Sequence, residues 1–216
     1  MTAHNTLTDA EKSAGFKLLF DGQSTAGWRG YGKPEIYPHW RVVDGTLRFH
    51  PDEKPEYGHD IISVESFSSF ELRVDWVLYK NGNSGIMYHV REHDHAPFMS
   101  GPEIQLLDDA ADPNIDKYPQ YQTGGCYDLY PPIARPASPI GQWNRQRLIV
   151  DGDKVEHHLN DVLTCAYTLG SADWNARIAA SKFKEWPHFA SERRGGIVLQ
   201  DHLNPVAFRN IRIRTW

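Results

Sequence analysis

Gly196-Ile-Val-Leu-Gln-Asp-His-Leu-Asn-Pro-Val-Ala-Phe-Arg-Asn-Ile-Arg-Ile-Arg214, two strands and a turn near the end of the chain, decides how the rest is read. Side chains on a strand alternate between its faces, so Ile197 and Leu199 share one face while Val198, Gln200 and His202 share the other. A face turned to plain solvent would carry Lys, Glu or Thr. An amide and an imidazole in line on an otherwise apolar strand point to a surface that binds something polar. The same style recurs in Asn83-Ser-Gly-Ile-Met-Tyr-His89 and in Glu103-Ile-Gln105.

Working outward, the chain reads mostly as short strands and turns. Phe16 to Phe20, Trp40 to Val43 and Thr46 to His50 are strands set off by Asp-Gly turns at Asp21-Gly22 and Asp44-Gly45. Phe70 to Leu78 alternates with Phe70, Leu72, Val74, Trp76 and Leu78 inward, and Gly85 to Val90 returns after the Asn81-Gly-Asn83 turn. Pro102 to Leu107, Trp143 to Val150 and Lys154 to Leu159 follow, the last two joined at Asp151-Gly152. Thr8-Asp-Ala-Glu11 is a capping box opening a short N-terminal helix. Asp173 to Phe183 has helical spacing, with Asp173 as its cap. Asp108 to Pro139, rich in Pro and Tyr, reads as an ordered loop over the sheet. The expected architecture is an all-β, two-sheet antiparallel sandwich with one short helical insertion, and residues 1–216 as one domain.

Composition bounds the partners. The formal charge of −5 over 216 residues, with no basic face, argues against nucleic acid. No apolar run reaches the roughly 20 residues that span a bilayer. Cys126 and Cys165 permit one disulfide at most, lack metal-type spacing, and are expected as buried free thiols. The first residues carry no signal peptide, which leaves cytoplasm, or periplasm with a leader removed, open. Oligomeric state is not legible.

Eight short motifs fall in one order. They are Leu19-Phe-Asp-Gly22 with Gly27-Trp28, Trp40-Arg-Val-Val-Asp-Gly45, Phe70-Glu-Leu72, Asn83-Ser-Gly-Ile86, Pro102-Glu-Ile-Gln105, Gly141-Gln-Trp-Asn144, Leu199-Gln-Asp-His202 and Phe208-Arg-Asn-Ile211. In this order the chain resembles the 3-keto-disaccharide hydrolase family from about Gly15 to its C-terminus. The resemblance implies a concanavalin-like jelly roll, a carbohydrate ligand, and a substrate already oxidised at carbon 3 of a glycosyl ring. A ketone there acidifies the hydrogen on carbon 2, so one base can start an elimination that breaks the glycosidic bond, and hydration then completes a hydrolysis. The alternative is a non-catalytic, lectin-like carbohydrate-binding module, which needs aromatic platforms and amides but no group poised for proton transfer.

Glu103 is the first catalytic candidate, because Glu103, Gln105 and Leu107 share the polar face; otherwise it is a solvated strand carboxylate. The glucanase pattern Glu-x-Asp-x-x-Glu is not met, since the corresponding string is Glu103-x-Gln105-x-x-Asp108, with one convincing carboxylate instead of two. His202 and His89 have the polar-face parity and are the acid–base candidates; for each the competing reading is a structural histidine bonded to a backbone carbonyl. Glu103, His89 and His202 together also make a candidate set for a divalent metal ion, though without diagnostic spacing. Asp60, Asn83, Gln105 and Gln200 are expected to bond sugar hydroxyls, and Lys182 to place a cation over the site. Trp28, Tyr31 and Trp186 are candidate sugar platforms, or core.

Overall fold

The computed structural model describes residues 4–51 and 58–216. Among the described residues thirteen strands are formed: β1 (Lys17–Leu18), β2 (Trp28–Gly30), β3 (Trp40–Val43), β4 (Thr46–Phe49), β5 (Ile61–Ser63), β6 (Phe70–Leu78), β7 (Asn83–Val90), β8 (Glu103–Leu107), β9 (Asn144–Asp151), β10 (Lys154–Leu159), β11 (Val162–Thr168), β12 (Gly196–Leu199) and β13 (Val206–Thr215). The larger sheet runs β11-β10-β9-β6-β13-β4-β3, with β1 added alongside β13, and the smaller runs β2-β5-β12-β7-β8. All pairings are antiparallel. The expected two-sheet sandwich is formed.

β6 shows why the sheets stack. Phe70, Leu72, Val74, Trp76 and Leu78 all enter the shared core, where they meet Ile86, Ile104, Leu106, Ile197 and Leu199 of the smaller sheet. Burying such side chains supplies roughly 1.5–3 kcal/mol each, which is what holds two sheets face to face. The intervening β6 residues point outward. Glu71 is nearly inaccessible among Arg73, Arg147 and Arg214 and accepts hydrogen bonds from all three at 2.6–3.0 Å. These arginines outweigh the cost of burial and hold its carboxyl down at about 2. A carboxyl depressed in the folded state contributes stability above its unfolded pKa and loses it as pH falls through the folded value. Glu71→Gln is therefore expected to destabilise the protein by about 2 kcal/mol at pH 7, and by progressively less as pH falls from about 4.5 towards 2, read from urea melts at each pH.

The capping box forms as expected: Thr8 Oγ1 accepts the Glu11 N–H, and Glu11 accepts the Thr8 N–H, at the start of α1 (Asp9–Ser13). The second helix is corrected. It spans Ala172–Ala180 (α2), and its cap is Ser171, whose hydroxyl accepts the Trp174 N–H. Asp173 lies in the first turn, where its carboxylate accepts from Tyr130 and Arg177. A tighter 3-10 turn follows at Lys182–Glu185, with its own serine cap, Ser181.

The 108–139 stretch is ordered and closes the edge of the smaller sheet. Gly124 N–H bonds to Gln105 O, Gln105 N–H to Gly125 O, and Tyr127 N–H to Glu103 O. An exposed edge strand is thereby paired, the usual protection against edge-to-edge association. Strands β2, β5 and β11 were not legible in the sequence; β2 and β5 have three residues each, too few to show a period. Cys126 and Cys165 are buried free thiols. No helix among the described residues is long and apolar enough to cross a membrane.

Candidate functional site

The site occupies the face of the smaller sheet that points away from the core. Part of this face is apolar: Tyr31, Ile62, Met87, Val90 and Val198 form a second cluster, with Phe98 packed on it. Beside them the same parity brings out Asn83 on β7, Glu103 and Gln105 on β8, and Gln200 just after β12. These open into a cavity of about 510 Å³, within the size range of small-molecule sites. Asp60, Asn83, Glu103, Gln105, Lys182, Gln200 and His202 all line it. Seven of the eight polar residues singled out from the sequence therefore meet in one place, although Asp60 and His202 are far apart in the chain.

Glu103 is positioned by a glycine. Its backbone pairs with Met87, and its carboxyl lies diagonally over Gly85, the partner of Gln105. A Cβ on Gly85 would come within 2.6 Å of the Glu103 carboxyl carbon and 2.8 Å of its Cγ. Only glycine leaves the carboxyl that space. Glu103 is 6% exposed, and burial pushes its pKa up to about 8. The nearby Asp60 carboxyl pushes the same way, and the Lys182 ammonium opposes both.

Asp60 is the second buried carboxyl, at 8% exposure, and burial raises it to about 7. Its Oδ1 accepts the Asp201 N–H at 2.7 Å, which restrains the rise, while the Asp201 charge adds to it. Asp201 in turn accepts the Leu203 N–H at 2.7 Å and faces His59 Nδ1 at 3.3 Å. The exit of β12 is thus tied to the segment entering β5. The sequence expectation of one convincing carboxylate is corrected: three carboxyls, Asp60, Glu103 and Asp201, line this cavity, and Asp60 disfavours charge on Glu103 as Asp201 disfavours it on Asp60.

His202 follows directly from that turn. Burial holds its imidazole below the ordinary range, so it is neutral at pH 7. Lys182 comes from the 3-10 turn after α2, with its ammonium 3.3 Å from the Tyr127 hydroxyl and 4.4 Å above that ring's centre. The Asn83 Oδ1 and Gln200 Oε1 atoms are buried without a hydrogen-bond partner. Leaving such an acceptor dry costs about 1–3 kcal/mol, which a bound hydroxyl would recover.

His89 does not join them. A bulge interrupts the β7–β12 register between Gly196 and Val198, and His89 itself has φ +55°. One extra residue reverses the parity: Val90 takes the outer face with Met87, and His89 turns inward. There it is 1% exposed, bonds Ser68 O through Nε2 at 2.8 Å, and packs edge-on against Phe70 and Tyr88. It is a structural histidine bonded to a backbone carbonyl. The metal set of Glu103, His89 and His202 is consequently not assembled, and among the described residues no group of three or more His, Cys, Asp or Glu is placed to hold a metal ion.

The aromatic expectations divide. Tyr31 lines the cavity, Trp186 packs behind Phe98 and Phe183, and Trp28 is core, with its indole N–H on Leu19 O. Sequence reasoning missed Tyr37, Phe98, Tyr127, Phe183 and Asp201 as lining residues. For Asp201 the signal was present, beside Gln200 and His202 in one motif. Tyr127 reaches the site only because its loop pairs with β8, which no local pattern announces.

Residues 15–214 match the 3-keto-alpha-glucoside-1,2-lyase-like domain. The chain belongs to this family. Over 226 aligned residues it is 33% identical to the 3-keto-disaccharide hydrolase of Bacteroides thetaiotaomicron, covering 93% of this chain and 78% of that protein. A crystal structure from Parabacteroides distasonis, of a protein proposed to be a glycosyl hydrolase, superposes with a TM-score of 0.91 at 32% identity, covering 99% of this chain and all of the other. The Bacillus licheniformis β-glucanase shares the jelly-roll fold, with a TM-score of 0.54 at 12% identity over 93% of this chain and 97% of its own. The glucanase-like string in this lyase-like family member is not a carboxylate pair in the cavity. Asp108, its last residue, accepts the Asn81 N–H at 2.9 Å and stabilises the turn before β7.

Proposed function

We propose that this protein cleaves 3-keto-glycosides by removing the proton on carbon 2 and eliminating the group on carbon 1. Family membership supports a glycoside hydrolase-type enzyme, and the character of the site supports the finer reading. The observation that carries it is Glu103, a buried carboxyl raised to about 8 in a cavity that also holds a neutral imidazole. Two titrating groups whose environments push them apart make an acid and a base at the same pH.

In this scheme neutral His202 takes the carbon 2 proton. The electron pair moves into the ring, and the charge develops on the carbon 3 oxygen, where the Lys182 ammonium stabilises it. The carbon 1–oxygen bond breaks, and protonated Glu103 gives its proton to the departing oxygen. The products are an alcohol and an unsaturated ketone with a double bond between carbons 1 and 2. Water adding at carbon 1, with a proton returning to carbon 2, completes the hydrolysis. No oxocarbenium ion is formed, so a flanking nucleophilic carboxylate is not required.

Turnover of a nitrophenyl 3-keto-glucoside, with no turnover of the unoxidised parent, is the deciding result, because the parent's carbon 2 hydrogen is not acidic. Equal rates on both would reject the mechanism. Saturable binding of unoxidised sugar without turnover of any keto-sugar would establish the lectin-like alternative. The pH dependence of kcat/KM should be bell-shaped. Activity falls on the acid side as His202 takes a proton, below the usual 6.5, and on the alkaline side near 8 as Glu103 loses its own. A profile still rising above pH 9 would exchange the two roles.

A further inference from the structure

Asp60 lines the cavity, yet the elimination gives it no task. Its place follows from the register. Leu199 pairs with Ile61 on one side and with Ile86 on the other, so the next residue, Gln200, lies between Asp60 and Gly85. The ladder holds to this point, since the Gln200 N–H bonds Gly85 O and the Tyr31 N–H bonds Asp60 O. Ile61 enters the core and Ile62 the outer cluster, which puts Asp60 on the outer face beside Gln200. The Glu103 carboxyl lies over Gly85. One row across this face therefore runs from Asp60 through Gln200 to the Glu103 carboxyl, and with strands about 4.8 Å apart it is about 10 Å long.

Asp60 and Gln200 offer two acceptors side by side. Asp60 uses Oδ1 for the Asp201 N–H, and its Oδ2 takes no hydrogen bond among the described residues. Gln200 Oε1 is buried without a partner. A bound water needs two to four polar partners, and one that gives a hydrogen to each of these acceptors turns its lone pairs away from both, into the cavity. Resting on the functional reading above, we infer that Asp60 is the base of the hydration step, and that with Gln200 it holds the water that adds to carbon 1. In that reading Glu103 protonates the oxygen on carbon 1, which puts carbon 1 beside the Glu103 carboxyl and so in the same row as the water. The water oxygen bonds to carbon 1 and its proton goes to Asp60, while the double bond shifts to carbons 2 and 3 with the charge on the carbon 3 oxygen. The His202 imidazolium then returns its proton to carbon 2, which restores the ketone. The proton on Asp60 passes to the Glu103 carboxylate and replaces the one that left with the alcohol. Asp60 ionises near 7 and Glu103 near 8, so the first can be a base while the second is still an acid.

The test follows the two halves of the reaction separately. Wild-type protein should convert nitrophenyl 3-keto-glucoside to free 3-keto-glucose, and should hydrate the isolated unsaturated ketone, seen as loss of its ultraviolet absorbance. Asp60→Asn keeps an acceptor for the Asp201 N–H. It should slow hydration at least about a hundredfold, and at least about tenfold more than it slows nitrophenol release, so that the unsaturated ketone accumulates. Gln200→Leu should shift the same ratio at least about fivefold, the scale of one lost hydrogen bond, and it decides the assignment if Asp60→Asn does not fold. Equal losses in both halves, in a folded variant, would mean that Asp60 serves only the structure, and would overturn the assignment. Wild-type protein that cleaves the glucoside but leaves the unsaturated ketone as its product overturns it too. Failure of the functional reading shows differently, as wild-type protein that performs neither half, and it removes this inference with it.

Discussion

Glu103→Gln is expected to lower turnover of a 3-keto-glycoside by at least about a hundredfold, because an amide holds no transferable proton and this is the usual scale for a general acid or base. His202→Ala should cost a similar factor. The glutamine variant carries a second signature that separates chemistry from damage. The unfolded chain ionises Glu103 from about 4.5, whereas the folded chain holds the proton until about 8. Folding therefore binds a proton across that window, and the stability of the wild-type protein falls as pH rises through it. Glutamine removes the penalty. Above pH 8 the variant should melt higher than wild type, by at least about 2–4 °C if the relief reaches about 1 kcal/mol. An inactive variant that is also less stable at pH 9 would show that Glu103 serves packing and not proton transfer.

Gly85→Ala should abolish activity almost as fully, although the added methyl group touches no substrate. The new Cβ would occupy the space of the Glu103 carboxyl, so the carboxyl must leave its place over β7. Overpacking of this kind costs about 1–3 kcal/mol, and the strand can bear it, since Gly85 sits between β8 and β12 with its carbonyl accepting the Gln200 N–H. Circular dichroism should stay wild-type while turnover falls about a hundredfold or more. Because the methyl group acts through Glu103, the double variant with Glu103→Gln should be barely slower than Glu103→Gln alone. Multiplying losses would mean that Gly85 acts on something else, and wild-type turnover in Gly85→Ala would mean that the carboxyl is not needed where it lies.

What local pattern can encode, the sequence determined by itself. Alternation along Phe70–Leu78, the Thr8–Glu11 capping box and the Asp-Gly turns each depend on neighbours a few residues away, so strands, cap and turns could be read directly. The polar parity of Glu103, Gln105 and Gln200 belongs to the same class and pointed to the face that bears the cavity, whereas His202, expected on the strand, lies in the turn beyond β12 and lines the cavity from there. Three matters only the tertiary structure decided. His89 shares the parity of Gly85 and Met87 on paper, and a bulge against Gly196–Val198 turns it into the core, because a single inserted residue inverts every side chain beyond it. Asp60 was legible only as a residue able to bond sugar hydroxyls, and its raised pKa comes from burial beside Asp201 and so from chain about 140 residues away. Tyr127 enters the site because its loop pairs with the edge of β8. Parity is a property of one strand, whereas register, bulges and the fields between buried charges arise only between strands, and these are what made the outer face of the smaller sheet a site.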